Sequence, residues 1–231
     1  MIDIDNNDTI CAVATAAGGA IGVIRVSGPD AISLTDSIFS RNLQDASPNT
    51  IVYGNIVGTN NDIVDEVLVS IFRKPHSYTG EDSTEISCHG SRYILSRVMQ
   101  LLISAGCRQA QPGEFTRRAF CNGKLDLSQA EAVADLIAST NEATHHIALG
   151  QLRGNITNTL SLLRDQLLKM TSLLELELDF SDHEELEFAD RSQLRQLAEE
   201  IDSRIVKMIS SFASGQAIKK GVPVAIVGKT N

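Results

Sequence analysis

The hydrophobic period of this chain changes once, near Lys124, and that change limits what it can fold into. Before it, apolar residues come in short β-branched runs; after it, they recur at steps of three and four. "TICAVAT" and "AIGVIRVSG" are bounded by Gly and Asp and predict strands. "NTIVYGNIVG" and "DIVDEVLVSIFR" flank "TNND", a turn-rich connector that predicts a hairpin. "DSTEISCHG" predicts another strand. "DAISLTDSIF" and "SRYILSRVMQLLISAG" read as helices, the second closed by a glycine suited to a helix C-terminus. Strands joined by hairpins and mixed with helices predict an α+β domain rather than a doubly wound parallel sheet.

Beyond Lys124 the pattern predicts an all-α domain. Asp126 with Gln129 three residues on forms a candidate capping box ahead of "LSQAEAVADLIAST". Ile156, Leu160, Leu163, Leu167, Met170 and Leu174 mark one apolar helix face. Leu194, Leu197, Ile201, Ile205, Met208 and Phe212 mark a second, which Gly215 is expected to end. Such stripes predict bundle core. Between them "ELELDFSDHEELEFAD" is densely acidic but lacks the alternate-residue ligand spacing and central glycine of a calcium loop. His145 and His146, adjacent on a helix, point in different directions and predict no shared metal.

The stretch "GVPVAIVGKTN", Gly221 to Asn231, raises the question of a nucleotide site. Val222, Val224, Ile226 and Val227 read as a short buried strand, and Gly228-Lys229-Thr230 resembles the close of a phosphate loop. A Walker A loop is G-x-x-x-x-G-K-S/T between strand and helix. Counting back from Gly228 puts its first glycine at Pro223, inside the strand. With Gly228 as the first glycine, Lys229, Thr230 and Asn231 are the variable residues, and the gripping G-K-S/T is missing. Either way the phosphate loop is incomplete.

Composition excludes several classes. An apolar share of 42 % supports a real core, and no run of eighteen apolar residues predicts a membrane helix. "MIDIDNNDTI" lacks the basic start of a signal peptide. Cys11, Cys88, Cys107 and Cys121 are scattered without a C-x-x-C pair and read as reduced thiols of a cytoplasmic protein. A net charge of −9 argues against nucleic-acid binding driven by this chain alone.

Polar residues suited to chemistry fall in three places. The first is "GGAIGVIRVSG", with Arg25; the second is "HSYTGEDSTEISCHG", with Tyr78, Glu81, Asp82, Glu85 and His89. The third is "QPGEFTRRAFCNGKLDLSQAEA", with Arg117, Arg118 and Lys124 around a glycine-rich turn. Period-two counting puts Ser83 and Glu85 on one strand face, Thr84 and Ile86 on the other. One acid and several cations from separate segments suit a small anionic ligand with a donor-rich ring, since a carboxylate matches a paired N–H/NH₂ edge. The residues alone favour the plainer reading, that Arg25 and Lys124 are ordinary surface charges and Glu85 an ordinary exposed strand residue.

"SYTGEDSTEISCHG", "PGEFTRRAFCNGKLDLSQAEAVADLI" and "LDFSDHEE", in that order and followed by "VAIVGKTN", resemble the MnmE (TrmE) tRNA-modification GTPase family over essentially the whole chain. The resemblance implies a folate-binding, dimerising domain over residues 1–120, the first part of a helical domain over 121–215, and the opening strand of a truncated P-loop G domain over 216–231. It implies that Arg25, Glu85 and Lys124 bind a reduced folate of the 5-formyltetrahydrofolate type, with Tyr78 stacking on it. It implies homodimers, a flavin-containing MnmG-type partner in a heterotetramer, and tRNA contact mainly through that complex. Together they would add an aminomethyl or carboxymethylaminomethyl group to the wobble uridine. GTP, Mg²⁺ and K⁺ would belong to the full-length protein; the incomplete loop at Gly228, Lys229, Thr230 and Asn231 implies no GTP hydrolysis, and no catalytic or metal residue is carried over. The chain departs from the family at "AAGGA", where a proline- and arginine-containing loop is usual. A stand-alone folate-dependent one-carbon transferase and a purely structural dimerisation scaffold are the competing readings.

Overall fold

A computed structural model of the chain describes residues 8–16, 18–179, 191–220 and positions 224, 225, 227 and 228. It divides into two compact units, Met1–Ala130 and Glu131–Asn231.

The first unit is built on a six-stranded sheet: β1 (Ile10–Val13), β2 (Ile21–Ser27), β3 (Thr50–Val57), β4 (Ile63–Phe72), β5 (Ser83–His89) and β6 (Arg108–Gln109). Their spatial order is β3-β4-β5-β2-β1-β6. Every neighbouring pair is antiparallel except β1 and β6, which run parallel. The strands alternate as a half-covered sheet requires. Ile24, Val26, Val67, Val69, Ile71, Ile86 and Cys88 point to one face and are buried. They form one core with Ala31 and Ile32 of α1 (Ala31–Asp36) and with Leu95, Val98, Leu101 and Leu102 of α2 (Arg92–Ala105). Gly106 closes α2 at φ 125°, as a C-terminal glycine should. The opposite sheet face stays open, with Ile51, Tyr53 and Leu68 exposed. The expected α+β architecture is the one observed.

Two local expectations need correction. The first helix ends at Asp36 rather than running to Phe39, because Ile38 and Phe39 turn into the core and Phe39 bridges to Ile56. Residues 108–109 add a sixth strand that two residues of sequence could not announce.

A short helix, α3 (Glu114–Cys121), leads into α4 (Leu127–Ala138), whose start the capping box predicted. The Asp126 amide donates to Gln129 Oε1, and the Gln129 amide donates to Asp126 Oδ1, both at 2.8 Å. Asp126→Ala is therefore expected to lower stability by about 1 kcal/mol, read as a small fall in thermal midpoint with ligand binding unchanged.

The second unit continues with α5 (Glu142–Leu152), α6 (Asn155–Asp179) and α7 (Arg191–Lys220), and is helical as expected. α7 does not stop at Gly215. A glycine inside a helix costs only about 1 kcal/mol, which a 30-residue helix tolerates. The apolar stripes are covered only in part. Leu163 and Ile201 are buried, whereas Leu160, Leu167, Leu174, Ile205 and Met208 are exposed. Three long helices cover one seam of each other, not a full core around each. The side chain of Phe212, and the connector from Phe180 to Asp190, lie outside what is described.

The expected buried strand near the C-terminus is not present at the positions described there. Val224 and Val227 have no strand partner and are 80 % and 92 % exposed. Val222 and Ile226 of that stretch fall outside the described residues. Lys229, Thr230 and Asn231 fall outside the described residues.

Candidate functional site

Arg25 of β2 and Glu85 of β5 are direct cross-strand partners, and both project from the open sheet face. The next residue across is Ser70 of β4, followed by Ile51 of β3. Arg25 Nε donates to Glu85 Oε1 at 2.8 Å, and Nη2 lies 2.7 Å from the same oxygen. Both arginine nitrogens face Oε1, and among the described residues no hydrogen bond reaches Oε2, which keeps its acceptor sites. Both side chains are roughly one-quarter exposed, which leaves the pair reachable from solvent. Thr84 and Ile86 on either side of Glu85 are fully buried, as the period-two count predicted.

Two aromatic rings stand against Arg25. Its guanidinium carbon lies 5.1 Å from the Tyr78 ring centre and 5.6 Å from that of Phe115. Both distances fall in cation–π range. Tyr78 belongs to the loop between β4 and β5, and Phe115 to α3. The two elements are tied by a hydrogen bond between the Tyr78 hydroxyl and Thr116 Oγ1, 2.9 Å. Thus Arg25, Glu85 and Tyr78 converge, with Phe115 as a fourth member that sequence did not single out. Lys124 reaches the same loop: its ammonium donates to the Pro75 carbonyl at 3.1 Å, and its stem lies beside Gly80.

Arg118, grouped with Arg117 and Lys124 as an available cation, is buried instead. Its Nη1 donates to the Asp8 carbonyl at 2.8 Å and to Glu81 Oε1 at 3.2 Å. Its Nη2 bonds the Asp8 carboxylate and lies 3.4 Å from Glu114 Oε1. Arg108 also bonds Asp8, and donates to Glu114 Oε1 at 2.6 Å. Arg117 Nη2 reaches the same Glu114 oxygen at 3.3 Å. Three guanidiniums thus face three carboxylates, and the balance of charge is what permits an arginine inside.

Burial by itself would raise the carboxyl pKa of Asp8, but hydrogen bonds and charge from Arg108 and Arg118 outweigh it and hold the group low. Glu114 behaves alike. Desolvation pushes it up, and the Arg108 hydrogen bonds, the Gln111 amide at 2.7 Å and both arginine charges pull it below the usual range.

Other groups stay outside the site. Cys11, Cys88 and Cys107 are free and buried, and burial pushes the Cys88 thiol up to about 11, which keeps it unreactive. His89 Nδ1 pairs with Asp65 Oδ1 at 2.7 Å at the end of β5. The His145 and His146 rings are 6.2 Å apart and nearly perpendicular. Among the described residues, no three metal-binding side chains cluster, and no helix is long and apolar enough to cross a membrane.

The fold is a mostly antiparallel sheet with an aromatic-flanked Arg–Glu pair on its open face, followed by a helical unit. Residues 9–124 match the family model described as "GTP-binding protein TrmE N-terminus", and residues 127–223 match the "MnmE helical domain". Among curated relatives, the tRNA modification GTPase MnmE of Bacteroides fragilis and that of Bacteroides thetaiotaomicron are each 62 % identical over 231 residues. The alignment takes in 98 % of this chain and 49 % of either relative. The same-named protein of Flavobacterium johnsoniae is 54 % identical, again over 98 % of this chain and 49 % of the relative. This chain belongs to the MnmE (TrmE) family of tRNA-modification GTPases. It spans about half the length of the curated relatives it matches.

Proposed function

We propose that this chain carries the folate-binding part of a tRNA-modification GTPase. The observation that carries the proposal is the Arg25–Glu85 pair on the open sheet face. The paired N–H/NH₂ edge of a pterin needs a fixed carboxylate acceptor. Arg25 fixes Glu85 through Oε1 and leaves Oε2 for the ligand. Tyr78, 39 % exposed, offers a ring for stacking, and Phe115 is half-buried beside it. Lys124 is exposed on the rim, where an ammonium suits the carboxylates of a folate tail.

In the whole protein the reduced folate would supply a one-carbon unit. With an MnmG-type flavoprotein in a heterotetramer, the protein would install the aminomethyl or carboxymethylaminomethyl group at C5 of the wobble uridine. GTP hydrolysis with Mg²⁺ and K⁺ would drive the conformational cycle, and the first unit would form the homodimer, all in the cytoplasm. The net charge of −9 supports tRNA contact mainly through the complex.

Calorimetric titration with 5-formyltetrahydrofolate tests this reading. The expected result is about micromolar affinity or better, lost in Glu85→Ala. A folded protein that binds no folate sinks it. Binding that survives Glu85→Ala moves the ligand elsewhere and favours a scaffold role for this face.

A further inference from the structure

We propose that Arg118 is a positioning residue for the ligand bed. It acts through Glu81 to hold the loop that sets Tyr78 against Arg25. Its ligand arm rests on the folate reading above; its loop arm does not.

The connection is continuous. Arg118 Nη1 donates to Glu81 Oε1 at 3.2 Å. The Ser27 hydroxyl donates to Glu81 Oε2 at 2.7 Å. Its proton is thereby committed, so the 2.6 Å contact between Ser27 and Thr79 has the threonine as donor. The Thr79 hydroxyl oxygen in turn accepts the Glu81 amide at 3.3 Å. Ser77 Oγ donates to the Glu81 carbonyl at 2.6 Å, and Asn122 Nδ2 to the Thr79 carbonyl at 2.8 Å. Residues 77, 79 and 81 are therefore all pinned, and Tyr78 sits between the first two with few backbone choices left.

Burial makes this more than a surface staple. Ser27, Thr79 and Arg118 are each at most 1 % exposed. Hydrogen bonds to a charged group in such a place are among the stronger ones. Arg118 also ties the arrangement to its own helix, because α3 carries Thr116, which bonds the Tyr78 hydroxyl, and Phe115, which flanks Arg25. Loss of Arg118 would leave Glu81 a half-buried carboxylate held only by Ser27. The loop would then trade its inward hydrogen bonds for water, and Tyr78 would leave Arg25.

The chain has three tyrosines and no tryptophan, so in a Tyr53→Phe/Tyr93→Phe background Tyr78 is the sole tyrosine fluorophore. In that background Arg118→Met, Arg118→Lys and Glu81→Gln are compared at a temperature where circular dichroism shows each folded. The loop arm is quenching of Tyr78 by acrylamide. It is expected to rise about twofold in Arg118→Met and Glu81→Gln as the ring loses its cover, and less in Arg118→Lys, which keeps the charge but not the fork. The ligand arm is 5-formyltetrahydrofolate affinity, expected to fall about tenfold in Arg118→Met and Glu81→Gln and to be partly rescued in Arg118→Lys. Unchanged quenching and affinity in folded variants overturn the proposal and leave Arg118 a stability residue alone. If Arg118→Met does not fold, Glu81→Gln decides. If the unsubstituted background binds no folate but quenching still rises in the variants, the folate reading falls and the loop assignment stands.

Discussion

Gly28→Ala is expected to destabilise the first unit by about 3–5 kcal/mol, lowering its thermal midpoint by roughly 10–20 °C. Two independent effects add. The residue sits at φ 141°, where a side chain is strained, and a Cβ there would lie 2.6 Å from Thr9 Cα and 2.8 Å from the Asp8 carbonyl oxygen. Both obstacles are backbone, so no rotamer change relieves them. What the close approach holds together explains why the position matters. The Gly28 amide donates to the Asp82 carbonyl at 3.0 Å, and the Asp30 amide to Thr9 Oγ1 at 3.0 Å. One glycine thus joins the end of β2, the segment carrying Asp8 and the loop carrying Tyr78. Gly123→Ala is the control. Gly123 also has positive φ, 69°, but nothing lies within 4 Å of an added Cβ, so only the backbone strain of about 1 kcal/mol should appear. Thermal unfolding of both variants, followed by circular dichroism, separates strain from collision. Equal losses in the two would show that the Asp8–Thr9 segment moves aside freely.

The sequence exposed whatever depended on short-range periodicity. Thr84 and Ile86 inward with Glu85 outward, the capping box of Asp126 and Gln129, and the glycine closing α2 are all local rules, and local rules decided them. It concealed whatever depended on separations of tens of residues. Arg118 looked like a companion of Arg117 because nothing nearby says that Asp8, 110 residues earlier, and Glu81 come to meet it. Phe115 was one aromatic in a motif until β2 put Arg25 beneath it. The helical stripes failed differently. Their spacing correctly gave helices, but spacing cannot say how many partners each helix has, so Leu160, Leu167 and Leu174 turn out exposed. Arg25 and Glu85 lay between these cases. Alternation placed each on a strand face, and only the register of β2 with β5 made them a pair.

Glu114→Ala is expected to cost about 3–5 kcal/mol at neutral pH, because it strands Arg118, 1 % exposed, with one acidic partner fewer. The loss should depend on pH in a definite direction. Asp8 and Glu114 have folded-state pKa values below their ordinary 3.8 and 4.5, since arginine contacts outweigh the burial that would raise them. A group lowered in this way contributes its stability above the unfolded-state value and loses it as pH falls through the folded-state value. The unsubstituted chain should therefore lose stability progressively below about pH 4.5, as Glu114 and Asp8 take up protons. The alanine variant has already lost one of the two titrating groups. Its stability curve should start lower and fall less steeply in acid, so that the two curves converge. Denaturant titrations at several pH values between neutrality and about pH 3 give both curves. Parallel curves would mean that Glu114 acts by packing alone and that the three-arginine, three-carboxylate cluster is not what keeps Arg118 inside.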